Sequence, residues 1–278
     1  MGQYEENQKK LHRCHLILLA EIKRICEKHN IRYFAIAGTL LGAVRHTGFI
    51  PWDDDMDIGI LRTDYERFLT AAKQELDDRM FLQNFETDEK YALPFTKLML
   101  KGTLFEERSA VGTSAQKCIY VDIFPLDNAP DSEEERAAQD KKTYLLRRLL
   151  LAKLGYKVYG SHETKKKIVY TLLKIFTLFI SRKALVTAIE NEMGKYNATP
   201  TENVVNIGGA YGYKKEMLRR SWFDTSAELP FEDTTIAAPG AYKDYLTYFY
   251  GDYMTPPPEN KRGDRHNVVN LDFGPYSD

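Results

Sequence analysis

Apolar residues recur at three- and four-residue steps near the start of the chain, at Leu11, Cys14, Leu18, Ile22 and Ile25. That spacing predicts a helix over residues 5–29, with Asn30 as its stop. The pattern then shortens. Arg32–Ala37 (RYFAIA) reads as a strand, Gly38-Thr39 breaks it, and TLLGAVRH restarts as a helical turn. Gly48, Pro51 and four aspartates punctuate the following loop. Met56–Leu61 is apolar around Asp57 and predicts a second strand. Thr63 with Glu66 makes a capping box, opening a helix to about Asp78. Further strands are expected near residues 80–84, 95–101 and 119–124. This alternation predicts an α/β or α+β core in roughly residues 1–130.

The character changes at Asp131. DSEEERAAQD is an acidic helix start, and a helical subdomain is expected over 131–195. Within it, residues 141–183 hold twelve Lys/Arg against one acid, Glu163. The segment is therefore +11 in a chain of net charge −1, and the remainder carries −12. Inside it, Ile168–Ile180 has a single charge, Lys174. Leu172, Ile175, Phe176 and Phe179 share one helical face, and Thr171, Lys174, Thr177 and Ser181 form a narrow polar stripe. Two readings stand: a core helix, or an element lying on a membrane surface with its lysines toward anionic headgroups. Residues 196–278 are rich in Tyr, Gly and Pro, with a loop at Asn206–Gly212, a short helix near 240–250 and a stiff turn at Pro256–Pro258. This third segment is expected to complete the site.

Composition narrows the class. The chain has 278 residues, 43% hydrophobic and 28% charged, which fits a globular protein and excludes a disordered, collagen-like or disulfide-scaffold chain. Near-neutral net charge gives no case for nucleic acid. Three cysteines without CxxC spacing, and a polar MGQYEENQKK start, point to a reducing, cytoplasmic compartment. No uncharged apolar stretch reaches the roughly 18–20 residues that span a bilayer.

The chemistry concentrates at Gly38–Ile60, GTLLGAVRHTGFIPWDDDMDIGI. Asp53, Asp54, Asp55 and Asp57 fall within five positions, a density that costs like-charge repulsion unless a cation compensates. On a strand, Asp55 and Asp57 point to the same side and can chelate a hard divalent cation such as Mg²⁺, leaving the rest of its shell to water and phosphate. Asp53-x-Asp55-x-Asp57 also resembles the opening of an EF-hand loop. That loop wants Gly where Ile58 stands and Glu where Asp64 stands. A solvated acidic turn and a structural Ca²⁺ site are the other readings. Asp122 lies in YVDIF, where an acid among β-branched and aromatic residues needs a partner. Beside the Asp57 strand it completes a three-carboxylate site; otherwise it is a strand-end acid facing water.

A Gly-Thr turn on a helix, Asp-x-Asp on a strand and a later lone Asp on another strand resemble the nucleotidyltransferase superfamily. The fuller strings GTLLGAVRH and GFIPWDDDMDIGI, with VDIFPLD at Val121–Asp127 and YGDYMTPPPE at Tyr250–Glu259, resemble the LicD family of phosphocholine transferases, related to fukutin-type ribitol-phosphate transferases. The likeness runs over about residues 10–130 and resumes near 230–266. It departs from the superfamily pattern at Ala37, where a first glycine often stands, and in the fifteen-residue gap between Thr39 and Asp55.

The resemblance implies a nucleotidyltransferase-like mixed sheet with flanking helices. It also implies transfer of phosphocholine from CDP-choline to a sugar hydroxyl of a glycan, a teichoic-acid or surface-polysaccharide precursor, with release of CMP. Asp55 and Asp57 would hold Mg²⁺ or Mn²⁺, and Asp122 would be a third ligand or the base for the incoming hydroxyl. Gly38 and Thr39 would face the donor phosphates at a helix N-terminus. Arg45, His46, Lys97, Arg262, Arg265 and His266 are the candidate phosphate cage, with a solvated basic tail as the alternative for the last three. Lys97 sits mid-strand, so its alternative is to snorkel to the surface. Trp52 and Phe124, and more weakly Tyr211 and Trp222, could face a choline head group. A lipid-linked acceptor would favour the membrane-surface reading of 141–183. Competing functions are a nucleotidyltransferase that releases pyrophosphate and a non-catalytic cation or glycan binder.

Overall fold

A computed structural model describes residues 3–157, 164–259, 262–263 and 266–277, apart from the side chains of 164–167. Helix α1 (Gln3–Lys28) buries Leu11, Cys14, Leu18, Leu19, Ile22 and Ile25 along one stripe, as its periodicity requires. Strand β1 (Phe34–Ala35) is shorter than the expected 32–37. Ala37 takes a φ of +46° and turns the chain at once into α2 (Ala37–His46). Strand β2 (Asp57–Leu61) passes directly into α3 (Arg62–Glu75). The expected Thr63–Glu66 capping box therefore does not form: Leu61 occupies the cap position and no side chain caps the helix. The helix ends at Glu75 instead of Asp78, because Leu76 leaves helical geometry at ψ 135°.

Strands β3 (Met80–Gln83), β4 (Thr96–Leu100), β5 (Leu104–Glu107) and β6 (Ile119–Ala129) follow. The sequence pattern suggested a strand ending near 124. It runs five residues further because Asp127 and Asn128, which read as a turn, find buried partners: Arg62 pairs with Asp127 at 2.7 Å, and Asn128 bonds to backbone at Thr199 and Tyr196. Ser132 caps α4 (Glu133–Leu154). Then come α5 (Thr164–Phe176), a 3₁₀ turn at Thr177–Phe179, and α6 (Arg182–Gly194), capped by Ser181. The final segment holds β7 (Asn203–Val205), α7 (Tyr213–Glu216), β8 (Met217–Arg219), β9 (Ser226–Phe231), β10 (Thr234–Pro239), α8 (Tyr242–Tyr250) and β11 (Val268–Asp272).

The main sheet runs β1-β2-β6-β4-β3, with β7 and then β8 added along the far end of β6. β2 and β6 are parallel and the other neighbours antiparallel, so this is the mixed sheet of an α+β fold. All eleven residues of β6 are buried, as a central strand's are. One apolar core joins α1, α2, α3 and α8 to the sheet. A second joins α4 and α6 to Val205 and Ile207. The two separate hairpin-like pairs are β9–β10 and β5–β11. The second pair returns the end of the chain to the sheet edge near the acids.

Candidate active site

The register of three neighbouring strands builds the centre of the site. Asp57 on β2 stands opposite Asp122 on β6, and Lys97 on β4 stands opposite Asp122 from the other side. The Asp122 N–H donates to the Met56 carbonyl at 2.9 Å. Paired positions on neighbouring strands send their side chains to one face, so a base and two acids form a row. Lys97 Nζ lies 3.0 Å from Asp122 Oδ1 and 3.9 Å from Glu107 Oε1. It also sits 3.1 Å over the Tyr120 ring, whose hydroxyl donates to Glu107 Oε1 at 2.6 Å. Lys97 is buried, so its ammonium does not snorkel to the surface.

The turn into α2 braces β2. The Asp57 N–H donates to Thr39 Oγ1 at 2.8 Å, which gives this buried hydroxyl a backbone-holding role. The Asp53 carboxylate rests on Gly38: a Cβ there would lie 2.6 Å from Asp53 Oδ2. Ala37 donates its N–H to the Tyr245 hydroxyl at 3.0 Å.

A second group of ligand-type atoms lies beside this row. His266 Nδ1 is 2.8 Å from Asp54 Oδ1, and His266 Nε2 is 3.5 Å from Asp55 Oδ2. Ligand atoms of Asp54, Asp55 and His266 lie within 4.8 Å of one another, so the three could together hold a metal ion. Asp54 Oδ2 is buried with no hydrogen-bond partner among the described residues. A buried carboxylate oxygen left so is costly, and a cation would satisfy it. Two carboxylates and one imidazole are a ligand set of the kind that holds a divalent metal ion.

Burial, then the neighbouring Asp55, Asp122 and Asp53, holds the Asp57 carboxyl well above the usual range. Burial lifts Asp122 to about 6, against the opposing pull of Lys97. For His266, burial opposes the charged ring, but Asp55, Asp54 and Glu107 outweigh it and keep its pKa well above normal. The pocket thus concentrates more negative charge than its own bases neutralise.

The EF-hand reading is overturned by geometry. Its second half would fall on β2 and the start of α3, and Asp64 instead pairs with Arg67 at 2.7 Å within α3. Arg45 donates to the Tyr253 carbonyl at 3.1 Å and to His46 at 3.0 Å. Arg262 lies over the Trp52 ring at 4.7 Å, and His46 meets the same ring edge-on at 6.1 Å. Trp52 therefore already carries a cation on its face. Phe124 is buried against Phe95 at 4.4 Å, leaving little surface for a head group. Tyr211 and Trp222 pack on the aromatic side chains of α8. Arg265 lies outside the described residues.

Sequence reasoning did not single out Asp54, Glu107, His12 or His15. Asp54 stood in the acidic run, undistinguished from its neighbours. Glu107 looked like a surface acid at a strand end. His12 and His15 fall on the apolar stripe of α1, three positions apart, and that was the available signal. The His12 ring bonds to the Asp53 carbonyl at 2.9 Å and stacks on Phe49 at 4.0 Å, which ties the acidic loop to α1. His15 is fully enclosed, and burial pushes its pKa down to about 3, so it is a neutral core residue. A cavity of about 240 Å³ opens beside the row, lined in part by Lys97, Glu107, Tyr120, Arg148, Tyr156 and Lys157.

Residues 30–148 match the family described as LicD/FKTN/FKRP, nucleotidyltransferase domain. Over 254 residues, 90% of this chain and 92% of the other, the sequence is 28% identical to the lipopolysaccharide cholinephosphotransferase LicD of Haemophilus influenzae. Over 55 residues, 18% of this chain and 11% of the other, it is 44% identical to the ribitol 5-phosphate transferase FKRP of Homo sapiens. The resemblance read from the GTLLGAVRH and DDDMD strings is thereby borne out.

Proposed function

Residues 30–148 of this chain are a LicD-family nucleotidyltransferase domain, and from that premise we propose that the protein transfers phosphocholine from CDP-choline to a sugar hydroxyl of a glycan and releases CMP. The observation that carries this reading is the row Asp57–Asp122–Lys97, flanked by Asp54, Asp55 and His266. Phosphoryl transfer needs charge neutralisation and positioning more than a covalent nucleophile, and this row offers both. The relatives named above support the transferase class, one a cholinephosphotransferase and the other a ribitol 5-phosphate transferase.

Mg²⁺ or Mn²⁺ held at Asp55 and Asp57, beside Asp54 and His266, would lower the charge on the donor phosphates and on the departing CMP. Asp122 accepts the proton of the attacking hydroxyl, a task suited to a carboxyl whose pKa is about 6. Lys97 keeps Asp122 oriented and holds its pKa from rising further. Gly38 and the start of α2 face the donor phosphates, with Arg45, His46 and Arg262 around the nucleotide. Trp52 meets the choline cation once Arg262 moves from its face onto phosphate. The acceptor is a teichoic-acid or surface-polysaccharide precursor. The free Cys14, Cys26 and Cys118 suit the cytoplasmic setting of the reading.

The test is incubation with a panel of CDP-choline, CDP-ethanolamine, CDP-glycerol and CDP-ribitol plus Mg²⁺ and glycan acceptors. CMP release that is largest with CDP-choline is expected. Pyrophosphate from an NTP, or full transfer by Asp55→Asn and Asp57→Asn proteins, would overturn the reading.

A further inference from the structure

The middle helices present a surface that the site does not use. α5 and its 3₁₀ turn direct Leu173, Thr177 and Ile180 inward, and Tyr170 partly so. The opposite face leaves Ile168, Leu172, Ile175, Phe176, Leu178 and Phe179 51–87% exposed. Thr177, expected on a polar stripe, is instead buried, so the outward face is more apolar than the sequence pattern suggested. A contiguous apolar face of this kind is uncommon on a protein surface that meets only water.

The face is held in place. The Tyr170 hydroxyl donates to the carbonyls of Leu151 and Tyr156, and Lys153 Nζ donates to the Thr177 carbonyl at 2.9 Å. Leu173 and Ile180 pack on the second core. The segment that carries it is strongly basic in sequence, since residues 141–183 hold twelve Lys/Arg and one acid. No described helix is long and apolar enough to cross a membrane. An apolar helical face within a basic segment matches a helix that lies in the headgroup plane.

We infer that the exposed face of α5 and its 3₁₀ turn docks on an anionic lipid bilayer. Charge decides between occupants. A second copy would bring an equal +11 segment against this one, whereas an anionic surface complements it. Docking here also has a consequence for the site. Arg148, Leu151, Tyr156 and Lys157, from the α4 end to which Tyr170 bonds, line the 240 Å³ cavity that reaches Lys97 and Glu107. Docking would therefore hold the α4 end that lines this cavity one helix away from the bilayer, where a lipid-linked acceptor would be presented. That last step rests on the transferase reading; the docking itself does not.

The experiment is co-sedimentation of the full chain with phosphatidylcholine vesicles, with and without phosphatidylglycerol. The wild type is expected to pellet with the anionic vesicles, and high salt to release it. A Leu172→Ser/Phe176→Ser/Phe179→Ser protein is expected to partition at least about tenfold more weakly, since three apolar side chains leave the interface. Circular dichroism and CMP release from CDP-choline in the presence of a water-soluble acceptor check that it folds. If it does not fold, Leu178→Ser/Phe179→Ser serves, because both side chains are more than 70% exposed. Equal partitioning of wild type and variant overturns the inference. So does a wild-type dimer, seen by light scattering, that the substitutions dissociate without any vesicle binding. Vesicle binding without CMP release would leave the inference standing and count against the transferase reading alone.

Discussion

Lys97 Nζ stands 3.0 Å from Asp122 Oδ1, both residues buried and paired across β4 and β6. Burial raises the Asp122 carboxyl to about 6, and the ammonium is what keeps it from going higher. If Asp122 is the base, the acid limb of the CMP-release profile falls near pH 6. Removing the ammonium with Lys97→Met strands the carboxylate in a low-dielectric setting, so the limb moves up by about one unit or more. Loss of rate without movement of the limb would assign Lys97 a packing role only. Asp122→Asn is expected to lower the rate by about 10²-fold or more at every pH.

Ala37 turns the chain from β1 into α2 at a φ of +46°, where a Cβ is strained. This is the position at which the wider superfamily often has glycine. Ala37→Gly is therefore expected to raise stability by about 1 kcal/mol, read as an increase in the urea midpoint with unchanged slope. Gly42→Ala is expected to do the reverse. A Cβ at Gly42 would lie 2.5 Å from the Gly48 carbonyl oxygen, a backbone atom with nowhere to go.

Glu216 sits buried beneath the Asn206–Gly212 loop, where the Tyr211 N–H donates to its Oε1 at 3.1 Å. Burial pushes its carboxyl from 4.5 to about 7, with Tyr211 and Arg147 pulling the other way. A carboxyl whose folded pKa is raised contributes stability that is complete below its unfolded pKa and is lost as pH rises through the folded value. The loss thus falls between about pH 4.5 and pH 7. Glu216→Gln should match the wild type in unfolding free energy at pH 4.5 and exceed it at pH 8, by at most about 3 kcal/mol, as read by urea denaturation at each pH. Parallel pH curves for the two proteins would mean that Glu216 is not the group responsible.

How much of this was legible differs from residue to residue. Asp57 and Asp122 stood out because acids inside apolar strand segments are rare without a reason, and the β2–β6 register depends only on alternation and adjacency; Asp55, expected on the same strand as Asp57, instead precedes β2, which starts at Asp57. Lys97 stood out for the same reason, but whether it would reach outward or inward depended on Glu107 and Tyr120, which local pattern does not bring together. The Asp54–His266 contact joins residues 212 positions apart, and no local signal encodes that separation. The short strands β5 and β7–β11 escaped notice because three- to six-residue segments with mixed polarity have no distinctive period. The capping box failed for a local reason: a strand that enters a helix directly puts Leu61, which has no side-chain acceptor, at the cap position and leaves Thr63 inside the helix.

The acidic run itself gives a discriminating test of where a cation sits. Asp55 shares a ligand group with Asp54 and His266 and also borders Asp57, so it is common to every arrangement of the site. Asp64 would matter only to an EF-hand, and in the structure it pairs with Arg67 and accepts the Arg32 N–H at 3.3 Å. Mn²⁺ titrated into the purified protein, followed by calorimetry or electron paramagnetic resonance, is expected to bind. Asp55→Asn should weaken that binding at least tenfold, by about 1.4 kcal/mol or more. Asp64→Asn should leave it unchanged. His266→Ala removes one ligand-type group at the edge of the set, and about a tenfold loss is expected there too. Because burial and neighbouring acids hold Asp57 protonated further up the pH scale than usual, Mn²⁺ must displace a proton to use it. Affinity should therefore rise with pH, and a pH-independent affinity would place the ion away from Asp57.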